Sequence, residues 1–393
     1  MVITNATIRA VNGLTARWAG VVDGDGRGSV FSAAGVWPLL AFLADGASGP
    51  AREELAVALG VPAGEAAAAG RELLATMASM RGLDTALGLW TRRTLELREA
   101  WEAGLPAEAH GVLTGDAVAD AEVLDAWAVK RTGGLVERMP VALSDDTMMV
   151  LASALALRTR WLRPFRDVPL LSPHWHGRTL LGLRRETLLL DRIGVTDTPA
   201  GHVTRLTVFG TDGIDVHLLL GEEHMTPGQV LGAGVGLLAG RHPVVPGPQL
   251  PYGEVGPGLR VVKERSMTPD PPTLDVTTAA FGVSADHDLL ARHELFGLTT
   301  ARDADHGHFP GISAFPLAVA SARQSAMAEF GAEGFRAAAV TAVAFAPGGA
   351  PPRLRWITTK LKARFDRPFG FLALHRRSRL VLAAGWVTEP KPF

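Results

Sequence analysis

Ten consecutive residues, 148–157, carry a single polar side chain, Ser153. A run of that length, closed by Arg158-Thr159-Arg160, predicts a strand covered on both faces. The first half of the chain has a helical pattern instead. Residues 31–45 are apolar almost throughout and predict a buried helix, with Pro38 near its first turn or kinking it and Gly46 and Gly49 at its end. Ser48, Pro50 and Gly60 frame a short helix as cap, early turn and stop. The Ala-rich stretch 63–80 predicts another, with Leu73, Leu74 and Met77 on one face. Residues 120–130 predict an amphipathic helix with Val123, Leu124 and Trp127 on one side, stopped by Gly133 and Gly134.

Later segments favour strands. Residues 204–220 read as two β-rich runs around Gly210-Thr211-Asp212-Gly213. The Pro- and Gly-rich stretch 240–258 reads as loop, 289–298 as a short helix, and 317–330 as a strand toward its end. Residues 369–374 and 380–387 predict two closing strands. Helices early and strands late, without regular alternation, imply α+β rather than a doubly wound sheet.

Composition narrows the functions. Apolar residues make up 47% of the 393 and charged residues 20%, enough for a sizeable core and too apolar for disorder. The net charge of −1 argues against nucleic acid as a partner. Cysteine is absent, which excludes disulfides, a thiolate nucleophile and Cys-ligated metal. No apolar run is long enough to span a membrane, and no signal peptide is read at the start, so the chain alone points to the cytoplasm.

Several weak motifs resolve to bland readings. Gly24-Asp25-Gly26-Arg27-Gly28 and Gly232-Ala233-Gly234-Val235-Gly236 lack the lysine and the strand–helix context of a phosphate loop, and read as turns. Asp303, Asp305, His306 and His308 could hold a metal, but their spacing matches no standard site and favours a solvated loop. His174-Trp175-His176 on a strand would put two imidazoles on one face without a third ligand. No metal and no cofactor is expected. No Gly-x-Ser-x-Gly elbow and no nucleophile, base and orienter set is found. The small, apolar segment 333–345, followed by Ala346-Pro347-Gly348-Gly349-Ala350-Pro351-Pro352, has the residues of a strand able to slide into a sheet, or of an Ala-rich helix leading into a loop.

Six pieces in order carry a family likeness. They are Phe31-Ser32-Ala33 through Gly49; Trp127 to Val136; Leu151 to Phe165, with Trp161 and Pro164-Phe165; His308-Phe309-Pro310-Gly311-Ile312-Ser313; Phe365-Asp366-Arg367-Pro368-Phe369; and Gly385-Trp386-Val387-Thr388-Glu389-Pro390. Along nearly its whole length the chain resembles a serpin, of a bacterial type with an atypical hinge and a long reactive loop. The resemblance implies an α+β fold of three β-sheets with eight or nine helices, one domain over 1–393, and an exposed hinge and reactive-centre loop at 333–357. It implies a monomeric, non-enzymatic inhibitor that traps a serine protease, or a cysteine protease, as a suicide substrate. A non-inhibitory serpin whose loop is only a substrate is the alternative. By resemblance such a protein is extracellular.

The site residues follow from the same likeness. The hinge is Glu333, Gly334, Phe335, Arg336, Ala337, Ala338 and Ala339, with Phe335 where threonine is usual. On that reading Phe335 is the first side chain an opening sheet must admit: its burial favours entry where there is room, and its bulk overpacks and slows insertion where there is not, with Phe335→Thr expected to raise the fraction of protease trapped. Ser32, Ser153 and Gln324 stand where the family hydrogen-bonds across the opening sheet. Counting from the two ends of the loop gives Gly348 and Ile357 as limits for the cleaved bond. Arg353 and Arg355 lie between and suit a trypsin-like pocket, or serve only solubility.

Overall fold

A computed structural model describes residues 3–22, 26–106, 109–134, 136–141, 143–144, 146–175, 177–303, 305–335 and 355–393. Among these are eight α-helices: α1 (Asn5–Ala19), α2 (Ala33–Gly46), α3 (Gly49–Leu59), α4 (Ala63–Ala78), α5 (Glu99–Gly104), α6 (Ala117–Thr132), α7 (Pro227–Leu238) and α8 (His293–Phe296). The strands are β1 (Ser29–Phe31), β2 (Leu83–Arg92), β3 (His110–Leu113), β4 (Met149–Leu157), β5 (Thr159–Arg160), β6 (Arg166–Leu171), β7 (Thr179–Thr187), β8 (Ile193–Thr198), β9 (Gly201–Phe209) and β10 (Ile214–Gly221). They continue with β11 (Val244–Pro246), β12 (Gly253–Gly256), β13 (Leu259–Ser266), β14 (Thr273–Ala279), β15 (Phe281–Asp288), β16 (Ser321–Phe330), β17 (Gly334–Phe335), β18 (Trp356–Phe365), β19 (Phe369–His375) and β20 (Val381–Val387).

The strands form three sheets, and the architecture is α+β. The first runs β3-β2-β4-β16-β17-β5, with β15 also paired to β16. The second runs β1-β20-β19-β10-β9-β8-β11, and the third β12-β13-β18-β14-β7-β6. Every residue of β4 is buried. Its Val150, Ala152 and Ala154 pack with Leu124 and Ala128 of α6 in a small cluster, while Leu151, Leu155 and Leu157 enter the main core. Cover on both faces is why the segment tolerates an almost unbroken apolar sequence.

Helix α2 runs through the main core with every residue but Asp45 buried. The Ser32 side chain caps it by accepting from Gly35 N. Pro38 is its sixth residue, so the proline falls in the second turn rather than the first. The resemblance motifs meet in space. Gly311 N donates to Gly46 O at 3.0 Å and Ser48 N to His308 O at 2.9 Å, joining the end of α2 to the His308–Ser313 turn.

Several expectations need correction. The buried stripe of α6 is Asp120, Leu124, Ala128 and Thr132, at i+4 spacing, and Val123 is exposed. Gly232, Gly234 and Gly236 are not turns but lie within α7. A Cβ on Gly234 would meet Leu219 Cδ1 at 2.3 Å, so the missing side chain lets α7 sit close on β10. The stretch 240–258 is not all loop, since it holds β11 and β12. His174 and Trp175 sit in a 3-10 turn (Pro173–Trp175), not a strand, and His176 lies outside the described residues. Ser48 stands at the N-cap of α3 without a side-chain capping bond. Helix α1, held at its start by the Thr4 side chain accepting from Thr7 N, was not anticipated.

Candidate functional site

The hinge begins where β16 ends. Residues 331–334 turn the chain back, closed by Gly331 N donating to Gly334 O at 2.9 Å, and Phe335 pairs antiparallel with Phe330. On its other side β17 pairs with β5, Gly334 opposite Arg160 and Phe335 opposite Thr159. Two residues of the hinge therefore already stand between β16 and β5 at one end of the first sheet. A Cβ on Gly334 would lie 2.3 Å from Thr159 O, so only glycine permits this approach.

Phe335 is 1% exposed, and its ring lies 6.0 Å from that of Phe371 on β19. Its pairing partner Phe330 packs on Trp161, Phe165 and Phe281 at 4.8, 5.8 and 5.3 Å between ring centroids. The neighbouring segment clasps the hairpin. Trp161 N donates to Glu333 O, Phe165 N to Ala332 O, and Trp161 Nε1 to Gly331 O, each at 2.9 Å. Of the two possibilities weighed for Phe335, room or strain, the structure shows room for the ring before any cleavage. An aromatic pocket between the first two sheets already houses it. The hinge residues Arg336, Ala337, Ala338 and Ala339 lie outside the described residues.

Below the hinge, β16 pairs directly with β4 in parallel over Ser321–Ala326 and Val150–Leu155. At the middle of this seam Gln324 stands opposite Ser153. Both are fully buried, as is Ser32. Ser32 N donates to Gln324 Oε1 at 2.7 Å, and Gln324 Nε2 donates to Ser32 O at 2.8 Å. Ser153 Oγ donates to Gly35 O at 2.9 Å and accepts from Gln324 Nε2 at 3.5 Å. The three residues singled out across this seam are thus gathered, with Gln324 bonded chiefly to the α2 cap and weakly to Ser153. The row extends to a residue that went unnoticed: His287 of β15 lies opposite Gln324 on its far side. Its Nε2 bonds Val30 O at 2.8 Å, and burial pushes its pKa down. No sequence pattern marks it, because only the β15–β16 register brings it there.

At the far end of the loop, Arg355 is exposed and directly precedes β18. Trp356 and Ile357 are exposed but paired with Ser266 and Arg265 of β13. Ile357 as a limit for the cleaved bond is corrected on this ground, since its backbone is engaged in the third sheet. Gly348 and Arg353 lie outside the described residues.

A family profile described as Serpin (serine protease inhibitor) matches residues 21–172. The protein named serpin-Z8 of Oryza sativa subsp. japonica is 25% identical over 93% of this chain and 91% of its own length. The chain is similar to serpins over most of its length. Serpin-Z6A of the same plant is 29% identical over 35% of this chain, a match spanning 38% of that relative. Both relatives are plant proteins, and the expectation of a bacterial type gains nothing from them. Among solved structures, human thyroxine-binding globulin complexed with its ligand superposes with a TM-score of 0.73 at 17% identity, covering 99% of each chain. A thermophilic serpin, tengpin, in its native state gives 0.73 at 13% identity, covering 98% of this chain and 94% of its own. Serpin48 of the insect Tenebrio molitor gives 0.69 at 18%, covering 98% of each. These likenesses share the fold.

One further cluster of polar side chains lies in the 303–308 turn. Asp303, His306 and His308 converge, with Asp303 Oδ2 bonded to His306 Nδ1 at 2.7 Å and His308 Nε2 at 3.2 Å. Asp303 Oδ1 accepts from Asp305 N at 2.9 Å, and the Asp305 carboxylate is not part of the group. With these bonds the Asp303 carboxyl is held down at about 2. The backbone and both imidazoles already satisfy the carboxylate, which suits a polar turn.

Proposed function

We propose that this protein is a serpin and a suicide-substrate inhibitor of serine proteases, built as one domain over 1–393 with its hinge and reactive loop at 333–357. The observation that carries the reading is the placement of Gly334 and Phe335 between β16 and β5, above a seam where β4 and β16 pair directly. Cleavage would free the loop to follow Phe335 into that seam as a new strand, parting β4 from β16 past Ser153, Gln324 and Ser32. The small residues Ala337, Ala338 and Ala339 fit such a path. The protease supplies the nucleophile. Its serine attacks the carbonyl of the bait residue, the new amine leaves, and insertion distorts the protease before the ester is hydrolysed.

Arg355 is the favoured bait, with Arg353 and Gly348 as alternatives, and a trypsin-like protease is the expected target. Arg355 is supported by its exposure immediately before a paired strand. The protein is expected to act as a monomer. A second reading, a serpin that binds rather than traps, draws on the shared fold with thyroxine-binding globulin. Incubation with trypsin followed by denaturing gel electrophoresis separates them. Inhibition predicts a band at the summed mass that survives denaturation and is lost on Arg→Ala at the bait position. Loop cleavage without that band favours the second reading.

A further inference from the structure

Beside the segment that clasps the hinge, a cleft opens between the second and third sheets. Its walls come from Arg163 and Leu162, from Arg185 on β7, from Leu189 and Arg192 just beyond it, and from Phe209 on β9. The cleft is open to solvent on one side, with a volume of about 80 Å³, and no carboxylate is among its described lining residues.

The three guanidiniums are held in place, and among the described residues neither Arg163 nor Arg185 is ion-paired. Arg185 stacks on Phe165 with its Cζ 4.3 Å from the ring centroid, and Arg192 on Phe209 at 4.0 Å. Arg185 Nη1 donates to Arg163 O at 2.7 Å, and Arg163 Nη1 to Thr187 Oγ1 at 3.3 Å. Arg192 meets one acid, the exposed Asp191, at 3.3 Å. The Nε atoms of Arg185 and Arg192 are both buried without a hydrogen-bond partner. Burial and the charge of Arg163 push the Arg185 pKa down to about 10. Adjacent charges are treated differently. Arg184 is paired bidentately with Asp275 at 2.9 and 2.7 Å, and Glu186 is engaged by Lys360 at 3.2 Å.

Buried guanidinium N–H groups without an acceptor, as at Nε of Arg185 and Arg192, are costly, and the planar fork fits a carboxylate. The rest of the wall is apolar, and Leu162 and Leu189 are left 55% and 36% exposed. An inorganic anion would leave those leucines wet. We propose that this cleft binds a carboxylate carried on an apolar body, such as a medium-chain fatty acid, its head held by Arg163, Arg185 and Arg192 and its chain laid on Leu162, Leu189 and Phe209. The site stands apart from protease trapping, so its test does not depend on that function.

Calorimetric titration of the full chain with octanoate, octan-1-ol and inorganic phosphate, at low salt and neutral pH, tests it. Octanoate is expected to bind at one saturable site. Octan-1-ol should give no saturable heat, and phosphate should bind at least about tenfold more weakly. Arg185→Gln and Arg192→Gln should each weaken octanoate about tenfold or more. Absent octanoate binding overturns the proposal, as does octanol binding as well as octanoate, phosphate binding as tightly, or unchanged affinity in both variants. Should those variants fail to fold, the exposed Arg163→Gln carries the test, and unchanged octanoate affinity there overturns the site.

Discussion

The ring of Phe335 lies 6.0 Å from that of Phe371 on the second sheet, so the first large side chain of the hinge is part of the native core before any cleavage. A ligand or a cut shifts an equilibrium only through contacts that differ between its states. A residue buried both before and after insertion favours neither. Phe335→Thr should therefore lower native stability by about 3 kcal/mol through lost burial. It should leave the fraction of protease trapped per loop cleaved no higher than in the parent. A rise in that fraction, measured by densitometry of trapped and cleaved bands, would mark Phe335 as a brake after all.

Gly334→Ala places a methyl group 2.3 Å from Thr159 O, a distance no backbone tolerates unmoved. The hairpin must swing away from β5 and draw Phe335 out of its pocket. The expected outcome is a lower melting temperature together with faster proteolysis near residue 335. Unchanged melting and cleavage rates would mean that β17 is not held as described.

At the seam, Gln324 satisfies both the N–H and the carbonyl of Ser32, whereas Ser153 bonds mainly Gly35 O. Removing a partner from two buried backbone groups costs more than removing one. Gln324→Ala should destabilise by about 3 kcal/mol and Ser153→Ala by about 1 kcal/mol. Chemical denaturation compares the two, and the reverse order would contradict the assignment of the bonds.

His217 on β10 is buried, and desolvation, with Arg205 and Arg379 nearby, pushes its pKa down to about 3. The unfolded chain takes up this proton near pH 6.5, the folded protein only near pH 3. Its contribution to stability is complete above about pH 6.5 and falls by about 1.4 kcal/mol per unit as pH drops toward 3. Stability should decline between pH 6.5 and 5, and His217→Leu should flatten that decline. An equally steep decline in the variant would assign it to other groups.

What the sequence made legible depended on how local each signal was. Strand β4 could be read because cover on both faces leaves one unbroken apolar run, and α2 because its core position leaves Asp45 as its one unburied residue. The glycines at 232, 234 and 236 misled because they lie inside α7, where the close packing of Gly234 on Leu219 of β10 is a tertiary feature. Ser32, Ser153 and Gln324 were legible only through likeness, being 292 positions apart at their extremes. The state of Phe335 was not legible, since a hairpin over 331–334 decides whether the ring points into the core. The arginine cleft escaped notice for the same reason. Arg163, Arg185, Arg192 and Phe209 come from separate segments and form no motif.

The account rests on the loop following Phe335 into the seam between β4 and β16, and melting of the loop-cleaved protein tests this most directly. Limited proteolysis within 347–355, with both fragments retained, should raise the melting temperature by on the order of 10 °C or more, because a new strand adds a two-sided ladder of backbone hydrogen bonds. A clean cut that leaves the melting temperature unchanged or lowered would contradict insertion, and with it the inhibitory mechanism.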